Sequence, residues 1–432
     1  MAFNPLKEKG TPLDKQMRNW EQIVRLPYDK HDVDPYTRTR QILINGIEME
    51  AWMFKHCVAR HMDNEDIKNA IARTRLIEDQ QQTTINWLIP ADQTILESTL
   101  AYEQVATDLT AYLSQIETDD YVRKVFDFGL LEDFDHLYRY SQMYQVLENK
   151  DPNVILKGMT DVFPGRPTQD HHNDPTLRLR KHYDKNTAKP ATKVNILTLL
   201  AGEQQTHNFY KEHGMEYGNP TLRKLYAEIG QVEEEHVSMY ESLIDPNETL
   251  LEKLLLHEFT EVCNYYTFVQ QEKDQRIKDI WEMFLSHELE HLRLASEMIK
   301  KYEKRDPEEI IGTDIHEPSR FESQKNYVEK VINEQVDLRL TDSAKKDFTK
   351  YENLPSDWPS YSVQEFLNSE GSPSEMAVRI HSMTEGRDLV RAGDDLQKKE
   401  TGILDRGLDK VEAPNTVSPQ ELEEMIKKVK VK

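Results

Sequence analysis

Two Glu-x-x-His motifs carry the most pointed chemistry in this chain, Glu233–His236 and Glu288–His291. A carboxylate and an imidazole three residues apart share a helix face, and both are donors for divalent transition metals. Each motif is weak on its own. Thirty residues before each stands another glutamate, Glu203 or Glu258, and the two pairs lie 55 residues apart. The same spacing fits the first half of the chain. Glu48 and Glu103 are followed after thirty residues by Glu78 and Asp133, then three residues later by Gln81 and His136. Histidine is only 15 of 432 residues, so chance is a poor explanation for this recurrence. Repeats of this length point to duplicated supersecondary units.

Helices must position these side chains. Each 30-residue interval has a polar, turn-compatible midpoint: Asp63-Asn64, Thr118-Asp119, Gly218-Asn219-Pro220 and Lys273-Asp274. Equal lengths down one helix and back up the next, at about 1.5 Å per residue, return the chain to its starting height. Four helical hairpins are therefore predicted, each with its first acidic residue level with its second motif. Asp245-Pro246-Asn247 marks a further break between His236 and Glu258. The flanking residues are apolar at helical spacing, as with Leu199 and Leu200 before Glu203 or Leu254 and Leu255 before Glu258, so the acidic residues lie on core-facing stripes. Glu203, Glu233, His236, Glu258, Glu288 and His291 are predicted to converge on one two-metal site. Four buried carboxylates are costly unless protonated, paired or metal-bound, and two divalent cations balance them.

The N-terminal set, Glu48, Glu78, Gln81, Glu103, Asp133 and His136, is a second candidate site. Gln81 is a weak neutral donor there, and Lys55, two turns from Glu48, could neutralise carboxylates without metal. Tyr210 and Tyr265 read as core tyrosines or as hydrogen-bonding neighbours of the site. His207 and Glu261 flank ligand positions as candidate extra donors. His171, His172 and His182 read as a solvated loop, and Cys57 and Cys263 as buried apolar fillers.

One Glu from each of two helices, plus a Glu-x-x-His from each of two others, resembles the ligand set of ferritin-like di-iron carboxylate proteins. Residues 195–303 carry the resemblance, nearest in style to the rubrerythrin-like branch, and residues 38–148 look like a second, diverged copy. It implies bundles holding two iron ions, or iron and manganese, and reduction of dioxygen or hydrogen peroxide with electrons from an unknown donor. Glu233 and Glu288 would bridge the metals, Glu203 and Glu258 would be terminal ligands, and His236 and His291 would serve one metal each. The chain departs from the pattern in three ways. Only 22 residues separate His236 from Glu258, where such bundles usually have a long connection between their second and third helices. Two cysteines cannot build a rubredoxin module. The N-terminal copy carries Gln81 and Asp133 in place of a His and a Glu.

The expected fold class is all-α: two tandem ferritin-like four-helix bundles built from four helical hairpins, with an irregular C-terminal appendage. The expected boundaries are a lead-in over 1–34, a diverged bundle over 35–149, an inter-domain strap over 150–190, a metal-bearing bundle over 191–304 and an appendage over 305–432. Within the appendage, helices are expected around 320–339, from Ser374 to Met383, and after a capping box at Ser418–Glu421. A net charge of -23 argues against nucleic-acid and anionic-membrane partners. No apolar run approaches the roughly 20 residues of a membrane helix. The N-terminus lacks the apolar core of a signal peptide, so a cytoplasmic location is expected. The expected function is a non-haem di-iron (or iron–manganese) redox protein acting on O2 or H2O2 as an oxidase or peroxidase, and the pattern allows a homodimer. The alternative is a non-catalytic metal-binding or helical scaffold protein.

Overall fold

A computed structural model describes residues 3–334, 338–340, 348–350 and 353–384. Among the described residues the regular structure is helical, apart from a short antiparallel pair, Leu338–Leu340 with Phe348–Lys350. Among these residues, eight long helices form four hairpins: α1 (Pro35–His61) with α2 (Glu65–Asn86), α3 (Ile95–Ile116) with α4 (Asp120–Glu148), α5 (Pro190–His213) with α6 (Pro220–Glu241), and α7 (Leu250–Gln271) with α8 (Gln275–Met298). Each hairpin turns where the sequence breaks. Asn64, Asp119, Asn219 and Asp274 each cap the N-terminus of a returning helix by accepting from free backbone N–H groups. Thr94–Glu97 and Thr249–Glu252 are capping boxes that start α3 and α7.

The hairpins do not associate in chain order. Helices α1, α2, α8 and α7 contact one another in a closed ring, and so do α3, α4, α6 and α5. The first hairpin therefore packs with the fourth and the second with the third, giving an outer and an inner quartet in place of the expected groupings 35–149 and 191–304. Equal spacing sets the height of each acidic residue on its helix, but it leaves open which hairpin faces which. The two quartets meet where α1 crosses α5. A Cβ on Gly46 would sit 2.8 Å from the Ala201 carbonyl oxygen and 3.0 Å from the Gln205 Cβ, so only glycine permits this approach. Gln205 then donates to the Ile42 carbonyl (2.8 Å), and Asn45 donates to Gln205.

The strap over 150–190 is not an exposed linker. It runs along α4 and α6 and supplies them with cations and donors. Arg166 donates to Glu132 (2.9 Å), the backbone N–H of Thr168 to Asp135 (2.8 Å), and Arg178 to Glu235 (3.1 Å). His171 and His172 are buried, contrary to the solvated loop read from the sequence, because the acidic flanks of α4 and α6 need polar partners. The lead-in also packs inward: the Thr11 N–H donates to the Ser286 carbonyl on α8 (2.8 Å). Past the fourth hairpin, helices α9 (Lys325–Glu334), α10 (Pro359–Leu367) and α11 (Pro373–Met383) follow, and α11 packs on α4 and α6. The capping box at Ser418–Glu421 lies outside the described residues. Cys263 is buried but Cys57 is exposed on α1, correcting its expected burial. Among the described residues, no helix is long and apolar enough to cross a membrane.

Candidate metal centre

The exchange of hairpins redistributes the donors. Glu203, Glu233 and His236 meet Glu103, Asp133 and His136 in the inner quartet, while Glu258, Glu288 and His291 meet Glu48, Glu78 and Gln81 in the outer one. The six C-terminal donors thus do not form one site. Each cluster takes three residues from each half of the chain.

The inner cluster is built around Glu233. Its Oε1 lies 2.9 Å from His136 Nδ1, and its Oε2 lies 3.3 Å from His236 Nδ1. His236 Nδ1 also faces Glu203 Oε2 at 3.5 Å and Asp133 Oδ1 at 3.6 Å. Candidate ligand atoms of Asp133, Glu203, Glu233 and His236 all fall within 4.8 Å of one another, as do those of Glu103, His136 and Glu233. The two groups share Glu233. Each holds one imidazole, and every member is buried.

The back of His236 fixes its orientation. Nε2 lies 2.6 Å from Glu132 Oε2, and Glu132 is held in turn by Arg166, whose guanidinium stacks 4.2 Å over Phe128. With Nε2–H donating to an ionised carboxylate, the Nδ1 lone pair points into three more carboxylates. That arrangement is repulsive unless a proton or a metal cation lies between them. A carboxylate behind a ligating histidine is the usual support of a metal site.

Charge within the cluster is unevenly shared. Burial pushes Glu103 and Glu203 well above the ordinary carboxylate range, reinforced by Glu233 and Asp133 respectively. Asp133 rises to about 7, chiefly through burial. Burial works the same way on Glu233, but the flanking His136 and His236 hold it well below its usual value. Burial also opposes the imidazolium of His236, yet Glu203, Glu132 and Glu233 keep its pKa well above that of free histidine. Both oxygens of Asp133, and one each of Glu103, Glu203 and Glu233, have no hydrogen-bond partner among the described residues. Such orphaned buried oxygens fit a cation-binding set, although the outer cluster has them too, one each on Glu48, Glu78 and Glu258 and both on Glu261.

The outer cluster is wired differently. Lys55 donates to Glu78 and, at 2.8 Å, to Glu258. Gln81 Nε2 donates both to Glu48 (2.8 Å) and to Glu288 (2.7 Å), and the Tyr265 hydroxyl donates to Glu48. His291 Nδ1 meets Glu288 at 2.9 Å, while its Nε2 meets Gln16 Oε1 at 2.8 Å. Five donated hydrogen bonds from Lys55, Gln81 and Tyr265 thus reach carboxylates here. In the inner cluster the corresponding donor is Tyr210, whose hydroxyl bonds Glu103.

Several contributors escaped the sequence pattern. Glu132 and Gln16 hold the backs of the two histidines, and Arg166 holds Glu132. A signal existed for Arg166, since the strap is rich in cations while α4 and α6 carry acidic residues outside the ligand stripe. His207 lies away from the cluster, with Nδ1 on the Gly230 carbonyl (2.9 Å), and Glu261 lies in the outer cluster 4.0 Å from Lys55.

No protein family model, curated protein or solved structure matches this chain.

Proposed function

We propose that the inner cluster holds two divalent metal ions, iron or iron with manganese, and that the protein is a ferritin-like redox protein acting on O2 or H2O2. The observation that carries this reading is Glu233, with a histidine Nδ1 against each of its two carboxylate oxygens. Glu103 and His136 would complete one position, and Glu203, Asp133 and His236 the other. Four carboxylates and two neutral imidazoles balance two divalent cations. Connectivity supports the resemblance as well. Within the inner quartet, the strap from about 150 to 190 supplies the long connection between second and third helices that the His236–Glu258 spacing lacked.

A bound iron pair would supply the electrons for reducing dioxygen or peroxide. The chain's own residues do the rest. Glu132 holds His236 in the Nε2–H form, so that Nδ1 is free to ligate, and His171, His236 and Arg166 together keep Glu132 ionised against its burial. The buried aromatic rings of Tyr140, Tyr210 and Tyr240 exclude water from the cluster. Tyr210, which bonds Glu103, also lines an open surface cavity of about 610 Å3 with Arg178, Met215, Arg223 and Tyr226. That cavity is the approach a small oxidant or reductant would take.

Metal analysis tests the proposal. Two iron or manganese ions per chain are expected, and they should be lost in Glu233→Ala. Consumption of O2 or H2O2 by the reduced protein should follow the metal content. A chain with no transition metal after growth in iron- and manganese-supplemented medium would refute the proposal. Stable metal without turnover would favour the scaffold alternative.

A further inference from the structure

The outer cluster has the same backbone frame as the inner one but different internal donors. Shifting the numbering by 155 residues superposes the two halves of the sequence: Glu48 on Glu203, Glu78 on Glu233, Glu103 on Glu258, Asp133 on Glu288 and His136 on His291. Asp133 falls on Glu288 and Thr110 on Tyr265, and within the first hairpin two positions break the match. Gln81 stands where the inner cluster has His236, and Lys55 stands where it has Tyr210.

Both exchanges put hydrogen-bond donors among the carboxylates. The Lys55 ammonium lies between Glu78 and Glu258, the counterparts of Glu233 and Glu103. The Gln81 amide lies between Glu48 and Glu288, the counterparts of Glu203 and Asp133. In the inner cluster, the equivalent pairs of carboxylates flank the two groupings of ligand atoms that share Glu233.

We propose that Lys55 and Gln81 are built-in replacements for two metal ions, so that the outer cluster is a metal-free lysine–carboxylate clamp joining the first hairpin to the fourth. Lys55 is completely buried and spans from α1 to α2 and α7, while Gln81 reaches from α2 to α1 and α8. All four helices of the outer quartet are thereby tied through two side chains. A divalent ion among these carboxylates would lie beside the Lys55 ammonium, and the repulsion between like charges would be relieved only by moving the ammonium away from them. The ammonium would then be left buried and unpaired, at a high cost. This inference goes beyond the reading of the inner cluster and does not depend on its reaction.

The test is to count metal on the full chain. Each protein is equilibrated with Mn(II) alone, dialysed and assayed by elemental analysis, with helicity and thermal unfolding recorded alongside. Two ions per chain are expected for the wild type. The count should be unchanged in His291→Ala and reduced in His236→Ala. Three or four ions in the wild type, or a loss in folded His291→Ala, would overturn the proposal. The gain-of-site variant Lys55→Tyr/Gln81→His copies the inner cluster and should bind two ions more than its parent. A folded double variant with no gain would also overturn the proposal. If the double variant does not fold, the wild-type and His291→Ala counts still decide. A wild type that binds no Mn(II) would sink the inner-cluster reading instead, and the clamp would then stand or fall on whether the double variant goes from none to two.

Discussion

Glu132→Gln offers a sharp check on the inner cluster, because it preserves shape while removing one charge. In the wild type, Glu132 accepts from His236 Nε2 through one oxygen (2.6 Å) and from Arg166 through the other (2.9 Å). A glutamine has one acceptor oxygen and one donor NH2, so it can serve either the imidazole or the guanidinium, but not both. If the imidazole loses its anchor, Nδ1 is no longer held toward Glu203, Asp133 and Glu233. Loss of such a supporting carboxylate typically weakens a metal by about 10–100-fold, or about 1.4–2.7 kcal/mol. If Arg166 is the group left unpaired, stability falls as well, by up to about 3–5 kcal/mol for a buried charge. Mn(II) titration against a competing chelator should resolve two inner-cluster affinities and show one of them weakened by this factor. Glu235→Gln provides the control, since Glu235 pairs with Arg178 and Asn173 of the strap and faces away from the ligands. That variant should lose stability without losing affinity. A folded Glu132→Gln protein with wild-type affinities would refute the role given to Glu132.

Three further outcomes are expected. Lys55→Met leaves the outer carboxylates without their ammonium and should destabilise the protein by about 3–5 kcal/mol in urea unfolding, and a loss below about 1 kcal/mol would contradict the clamp. Gly46→Ala drives a methyl group into the Ala201 carbonyl at the α1–α5 crossing, so thermal stability should fall by the equivalent of about 1–3 kcal/mol. Asp108, buried on α3 where Thr160 donates to it, has its pKa raised to about 7 from 3.8, chiefly by burial. The folded state therefore holds a proton that the unfolded state releases near pH 4, and stability is lost as pH rises from about 4 to about 7. Asp108→Asn should remove this loss, gaining on the wild type by up to about 4 kcal/mol between pH 4 and pH 8, as read by urea unfolding at several pH values.

The sequence was informative where chemistry follows local periodicity. The 30-residue interval located the turns because Asn64, Asp119, Asn219 and Asp274 are capping residues with a local job. The apolar stripes correctly buried every donor. What the sequence could not fix was the choice of partners. A 55-residue offset and a 155-residue offset are both present in the same numbers, and height along a helix carries no information about which hairpin lies opposite. That is why Glu258 was expected beside Glu203 but lies with Lys55 and Glu78. The strap misled for a different reason: His171 and His172 look solvated as a string, as the exposed His182 is, and only the acidic flanks of α4 and α6 explain their burial. Lys55 was legible as a neutralising group, although the helix across from it was not.

The pairing of first hairpin with fourth and second with third is nested, like brackets within brackets. Donors of the inner cluster span residues 103–236, whereas those of the outer cluster span 48–291. As the chain leaves the ribosome, the inner quartet can close once α6 has emerged, while the first hairpin must wait for the fourth with its buried carboxylates and Lys55 lacking their partners. Closing the longer loop costs little extra entropy, since that cost grows only logarithmically with length. The penalty is time: contacts between distant residues form late, and an exposed half-site is prone to mispairing while it waits. A charge-laden first hairpin suits that interval, because its polar interior discourages collapse onto the wrong partner until α7 and α8 arrive.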